Sequence, residues 1–497
     1  RQKQNDSADY FLGGRDATWL AIGASIFASN IGSEHLIGLA GAGASSGMAM
    51  AHWEIQGWMI LILGWVFVPF YSRSMVYTMP EFLERRYNPQ SRTILSVISL
   101  VSYVLTKVAV TVYAGGLVFQ QVFGIKELWG IDFFWIAAIG LVVLTALYTI
   151  FGGMKSVLYT SVLQTPILLL GSLIILVLGF KELGGWDEMM RVCGAVTVND
   201  YGDTMTNLIR SNDDANFPWL GALIGSAIIG FWYWCTDQFI VQRVLSGKNE
   251  KEARRGTIFG AYLKLLPVFL FLIPGMIAFA LHQKYIGAGG EGFLPMLANG
   301  TANADAAFPT LVAKLLPAGV KGLVVCGILA ALMSSLASLF NSSAMLFTID
   351  FYKRFRPETP EKKLVGIGQI ATVVIVILGI LWIPIMRSVG DVLYTYLQDV
   401  QSVLAPGIAA AFLLGICWKR TSAQGGMWGL IAGMIIGLTR LGAKVYYSNA
   451  GEVADSTFKY LFYDMNWLFF CGWMFLFCII VVIVVSLATE APTAEKI

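Results

Sequence analysis

Between Ala24 and Gly47 the chain reads ASIFASNIGSEHLIGLAGAGASSG, with Asn30, Gly32, Ser33, Glu34 and His35 in its middle. Apolar residues on both sides could carry a helix across a bilayer, which puts these polar or small groups at about half its depth. Lipid offers them no partner, and an ionisable side chain at the centre of such a helix costs roughly 2.5–3.5 kcal/mol. A helix that breaks here frees backbone carbonyls and an N–H end, which together can hold a cation and a polar solute. The plainer reading is a polar seam that glues neighbouring helices.

Further polar side chains interrupt other apolar segments. They are Glu54 and Gln56, Lys107, Gln164, Asp237 and Gln238, Lys264, Ser334 and Ser335, and Gln398 and Asp399. A hexose needs donors and acceptors around its rim and a flat apolar platform for its C–H face. Asn, Gln, Glu and Lys supply the rim; Tyr233 and Trp234, in GFWYWCTDQFIVQR, supply the platform. For any one of these residues alone an internal helix-to-helix hydrogen bond is the better reading, but spread over so many segments they favour a solvated solute site. The run ALMSSLASLFNS, from Ala331 to Ser342, offers hydroxyl oxygens to a hard cation such as Na⁺ or, alternatively, a small-residue packing face. Asp237 and Arg243 lie close enough in sequence for a local ion pair and read as gate or structural residues. GAGASSG lacks the Lys-Ser/Thr and the preceding strand of a phosphate loop.

The elements that must position these residues are membrane helices. The 497 residues are 57% hydrophobic and 13% charged, against about 25% charged in a soluble domain, so the chain is an all-α polytopic membrane protein. A net charge of +3 without a dense basic block excludes nucleic acid as a partner. Five of the six cysteines lie in apolar segments, and the three histidines are scattered, so neither a disulfide framework nor a zinc site is expected. No nucleophile–base pair stands at catalytic spacing, so the protein is not read as an enzyme.

Apolar runs of about 20 residues give twelve spans, at approximately 17–45, 48–72, 93–124, 133–151, 156–180, 216–241, 257–281, 318–348, 364–386, 392–418, 425–446 and 464–488. Loops on one side carry most of the Lys and Arg, which predicts a multi-pass cell-membrane protein with both ends of this chain cytoplasmic. Spans 1 and 6 are interrupted alike. Breaks five spans apart predict an inverted repeat of five plus five helices. The single transmembrane domain, 1–497, then divides into repeats at about 17–180 and 216–418, with peripheral helices at about 425–488.

Several long blocks resemble the sodium/glucose cotransporter family, within the wider sodium:solute symporters. They are DYFLGGRDATWLAIGASIFASNIGSEHLIGLAG, YTMPEFLERRY, WYWCTDQFIVQR, YLKLLPVFLFLIPGMI, SSLASLFNS and FLLGICWKR. The resemblance implies a leucine-transporter-like fold with helices 1 and 6 broken, and Na⁺-driven import of a hexose of the glucose or galactose type by alternating access. An inositol or other polyhydroxylated solute is the alternative. It implies a sugar site of Asn30, His35, Glu54, Tyr233, Trp234, Lys264 and Gln398, with Tyr233 as inner gate. The sodium site it implies uses carbonyls of Ala28, Ile31 and Ala331 with the hydroxyls of Ser334 and Ser335. In two places the chain departs from the family pattern. Gly230 stands where some members place a polar side chain near the sugar, and Ser161 stands where the family usually has Asp. With Ser161, and with Ala337 where a hydroxyl is expected, one Na⁺ per solute is predicted. The family also carries a helix before the first span seen here and usually another after the last, and the chain starts at Arg1, so it reads as part of a longer product.

Overall fold

A computed structural model describes residues 7–497 except Ser33, 298–299, 390–392, 450–454, 494–495 and residue 497. Ten helices among the described residues are long and apolar enough to cross a membrane, and two shorter apolar helices complete the set. Span 1 is Trp19–Asn30 followed by 34–46, and span 2 is 47–74. Span 3 is Pro89–Phe123, span 5 Gly153–Leu183, span 7 Glu250–Gly287 and span 8 Ala318–Phe355. Span 4 runs from Phe133 straight into span 5, separated only at Gly153, where φ is +57° and ψ −161°. Span 6 is Trp219–Thr236 continued by Gln238–Leu245. Spans 9 to 12 are Glu361–Val389, Leu393–Cys417, Ala423–Asn449 and Trp467–Ala488. The twelve segments fall where the apolar runs place them.

The surface is apolar where a bilayer requires it. Leu163, Ile370, Leu381 and Ile480 are exposed, while Asn30, Glu54, Lys107, Asp237, Lys264 and Gln398 are buried. Charged and amide groups therefore face the bundle interior, the only place where lipid does not leave them without a partner.

Span 7 lies against both halves of span 1 with little between the backbones. A Cβ on Gly23 would stand 2.8 Å from the Gly256 carbonyl oxygen. On the other half, a Cβ on Gly275 would stand 2.0 Å from the Ala40 carbonyl oxygen. Only a residue without a side chain permits that approach. Span 7 itself is irregular at the same level. Its first helix ends at Leu263, and regular helix resumes only at Ile273.

Candidate functional site

The site starts from two interrupted helices. In span 1 the helix ends at Asn30, and Ile31 turns to φ −80°, ψ 76°. The Gly32 N–H then bonds the Asn30 carbonyl at 2.9 Å, and the His35 N–H bonds that of Gly32 at 3.2 Å. In a continuous helix those two N–H groups would pair with the carbonyls of Ala28 and Ile31, so the break releases both oxygens. In span 6 Asp237 is extended, at φ −74° and ψ 126°, and its side chain caps the second half by accepting from the Phe239 N–H. The breaks touch. Asn30 Nδ2 donates to the Tyr233 hydroxyl at 2.9 Å.

Around that contact the fold brings together Asn30, His35, Glu54, Tyr233, Trp234 and Lys264, all lining one cavity with Glu34, Trp53, Gln56 and Gln401. Lys264 Nζ lies 2.7 Å from Glu54 Oε2 and 2.5 Å from His35 Nε2. Glu54 Oε1 lies 3.1 Å from the same Nε2, so this ring nitrogen sits between an ammonium that can only donate and a carboxylate that can only accept. His35 Nδ1, Asn30 Oδ1, Gln56 Oε1 and Gln401 Nε2 are all buried without a hydrogen-bond partner. A buried polar group left unpaired costs about 1–3 kcal/mol, so a wall with four of them is built for a polar occupant. Trp234 and Tyr233 meet edge to face, centroids 4.8 Å apart, and present an aromatic wall. The cavity leaves about 20 Å³ open to the centre of a water molecule, room for about one water. Anything larger than water therefore requires the lining side chains to move apart.

The second constellation lies where span 8 meets the break in span 1. The Ser335 hydroxyl donates to the Ser29 carbonyl at 2.9 Å. A Cβ on Gly32 would stand 2.3 Å from Ser335 Oγ, so the break and span 8 are in direct contact. Ser334 Oγ lies 3.1 Å from Ser161 Oγ of span 5, and Ala331, one turn before Ser335, is buried. Freed carbonyls and neutral hydroxyls in one place are a hard-oxygen set of the kind Na⁺ takes. Beside them Arg243 Nε donates to Ser29 Oγ at 3.0 Å, and its two terminal nitrogens are buried without partners.

The chain matches the sodium:solute symporter family over residues 10–433. It belongs to that family. It is 36% identical over 510 residues to the human sodium/myo-inositol cotransporter 2, covering 100% of this chain and 74% of that one. It is 39% identical over 504 residues to the sheep (Ovis aries) sodium/glucose cotransporter 1, covering 98% and 75%. Among solved structures it resembles a substrate-bound, outward-open Na⁺-coupled sialic acid symporter, at TM-score 0.74 and 20% identity, over 99% of this chain and 94% of that one. It also resembles MhsT in complex with L-phenylalanine, at TM-score 0.55 and 13% identity, over 95% and 99%. The leucine-transporter-like fold with broken helices 1 and 6 is thus shared with other transporters, and the protein is a sodium-coupled symporter rather than an enzyme.

Three details of the symporter differ from the sequence reading. Asp237 does not pair with Arg243. Its carboxylate accepts instead from Lys107 Nζ and from the Tyr103 hydroxyl of span 3. The break turns Asp237 toward span 3, whereas Arg243 sits on the helix beyond it and faces Ser29. Second, next to Ala337, where the sequence reading finds no hydroxyl, Ser338 places its Oγ 2.9 Å from Ser29 Oγ. Third, Gln398 is buried with both amide atoms unpaired but does not line the cavity; Gln401, one turn further on, does. The signal for Gln401 was its helical spacing from Gln398, and that for Trp53 its place beside Glu54.

Proposed function

We propose that this symporter imports an uncharged polyhydroxylated ring, a hexose or an inositol, driven by sodium through alternating access. The observation that carries the reading is the meeting of both helix breaks at one cavity whose rim combines Asn30, His35, Glu54 and Lys264 beside the Tyr233–Trp234 wall. Lys264 and Glu54 neutralise each other, which suits a solute rich in hydroxyls better than an ion. The relatives named for myo-inositol and for glucose support the same solute class.

In this reading Asn30, His35, Glu54 and Lys264 bond the ring hydroxyls, Trp234 covers a C–H face, and Tyr233 closes the cytoplasmic side. Gln398, buried and unpaired, joins the rim in another conformation of the transport cycle. Sodium is held by the carbonyls of Ala28, Ile31 and Ala331 and the hydroxyls of Ser334 and Ser335. Bound there, it ties the broken span 1 to span 8 and favours the outward-open form. A second ion is disfavoured because the neighbouring hydroxyls of Ser29, Ser338 and Ser161 come with no carboxylate and with the Arg243 cation. Twelve crossings return the chain to its starting side, and the Lys/Arg-rich loops make that side cytoplasmic. The two halves of the bundle, about 17–180 and 216–418, are the inverted repeats.

Uptake of labelled glucose, galactose and myo-inositol into proteoliposomes tests this. An inward sodium gradient should concentrate at least one of them, and a potassium gradient none. Absence of sodium-driven uptake for all three overturns the reading.

A further inference from the structure

Gln56 is unusual among the residues lining the cavity. It lies in the first half of span 2, and its side chain is buried with Oε1 unpaired. The amide reaches across to span 6 and lodges against Gly230. A Cβ placed on Gly230 would stand 2.4 Å from Gln56 Oε1 and 3.3 Å from its Cδ. Contacts under 3.0 Å are not tolerated, so any side chain at position 230 would drive the amide out of its place. Gly230 is therefore the notch that seats Gln56. Ile229 and Tyr233, on either side of the notch, both line the cavity.

The chemistry of this seat is specific. Lys264, Glu54 and His35 contact one another on their side of the cavity. The Gln56 carbonyl oxygen has nothing to accept from, and an acceptor in that position is satisfied by an O–H, not by a C–H. Resting on the symporter reading above, we infer that Gln56, seated by Gly230, is a specificity-determining residue that recognises one hydroxyl of the transported ring. Span 6 supplies no side chain at this point; span 2 supplies the reading group and span 6 the space for it. The pair acts as one unit, so a change at either residue alters the same contact.

The test is a cycle between the protein and its solute. Sodium-driven uptake is measured for the best wild-type solute and its full set of monodeoxy analogues, in wild type and in Gln56→Ala. For one analogue the wild type should lose about five- to tenfold in affinity, the worth of one hydrogen bond. In Gln56→Ala that analogue and the parent solute should become equal, while the other deoxy positions keep their wild-type penalties. Gly230→Ala should erase discrimination at the same ring position, and adding it to Gln56→Ala should change nothing further. Half-saturation by sodium and thermal unfolding, measured on each variant, show whether the bundle is intact. If Gln56→Ala is not folded, Gly230→Ala carries the test alone. Equal penalties in wild type and in the folded variants, at every ring position, overturn the inference. Failure of wild type to take up any polyol on a sodium gradient overturns the transport reading instead, so the two failures are distinct.

Discussion

The contact between Lys107 and Asp237 lends itself to a quantitative prediction. Both side chains are 2% exposed, they lie on spans 3 and 6, and each sits inside the bundle beside the broken segment. Replacing Asp237 with Asn keeps the cap on the Phe239 N–H, since Asn caps as well as Asp, and keeps an oxygen for the Tyr103 hydroxyl. It removes the charge and, with it, the acceptor that Oδ2 offers to Lys107. Breaking a buried pair from one side costs about 3–5 kcal/mol, because the surviving ion stays desolvated. Lys107 Nζ is also 4.4 Å from the Tyr233 ring centroid and 4.5 Å from that of Phe239. These faces retain part of its stabilisation, which places Asp237→Asn near the lower end, at about 3 kcal/mol. Lys107→Met should cost less, about 2 kcal/mol, since Asp237 still accepts from Tyr103 and Phe239 and buried charge is partly met by such bonds. The double variant exchanges the pair for neutral groups of similar volume and should return to within about 1 kcal/mol of wild type. Thermal or denaturant unfolding of the purified protein in detergent, followed by tryptophan fluorescence, measures the cycle. Single-variant losses that simply add, within about 0.5 kcal/mol, would show that the two charges do not sense each other and refute the argument.

We further predict that Ser335→Ala abolishes sodium-driven concentration while the protein stays folded, because its hydroxyl bridges span 8 to the Ser29 carbonyl at the break. Normal sodium dependence of uptake in that variant removes Ser335 from the ion site. Glu54→Ala should weaken solute binding by tenfold or more while changing sodium binding little, since a hydrogen bond to a charged group contributes about 1.5–3 kcal/mol; equal losses for both ligands would mark Glu54 as a brace between helices. Reversal-potential measurements on reconstituted protein should give one Na⁺ per solute, given the Arg243 guanidinium at Ser29 Oγ. A ratio near two would show that the hydroxyl cluster binds a second ion despite that charge.

The spans and both breaks were readable from sequence for a simple reason. Lipid forces apolar runs of fixed length, and any polar interruption such as Asn30–His35 or Thr236–Gln238 then stands out. Six of the seven expected solute residues meet at one cavity; four of them, Asn30, His35, Glu54 and Lys264, are polar groups that interrupt apolar runs. What sequence hid was the rotation of helices. Gln398 and Gln401 are both amides on one span, and only packing against the two breaks decides which lines the cavity. The Lys107–Asp237 pair joins residues 130 positions apart, whereas the nearer Asp237 and Arg243 face different neighbours across the change of chain direction. Likewise Ser338 rather than residue 337 meets Ser29, a displacement of one position that represents about a quarter turn of helix.

The tight packing of span 7 against span 1 makes these two segments mechanically inseparable. Backbone touches backbone at Gly23–Gly256 in one half and at Ala40–Gly275 in the other, so neither half of span 1 can tilt without dragging its neighbour. If the halves of span 1 change their mutual angle, span 7 must flex between those two welds, and its irregular stretch 264–272 is the compliant section available. Lys264 stands at the start of that section and reaches Glu54 and His35. Lys264, which the proposed function sets against the solute, is thus mounted at the start of the compliant section, so that in that reading a solute holding Lys264 would act on the stiffness of span 7.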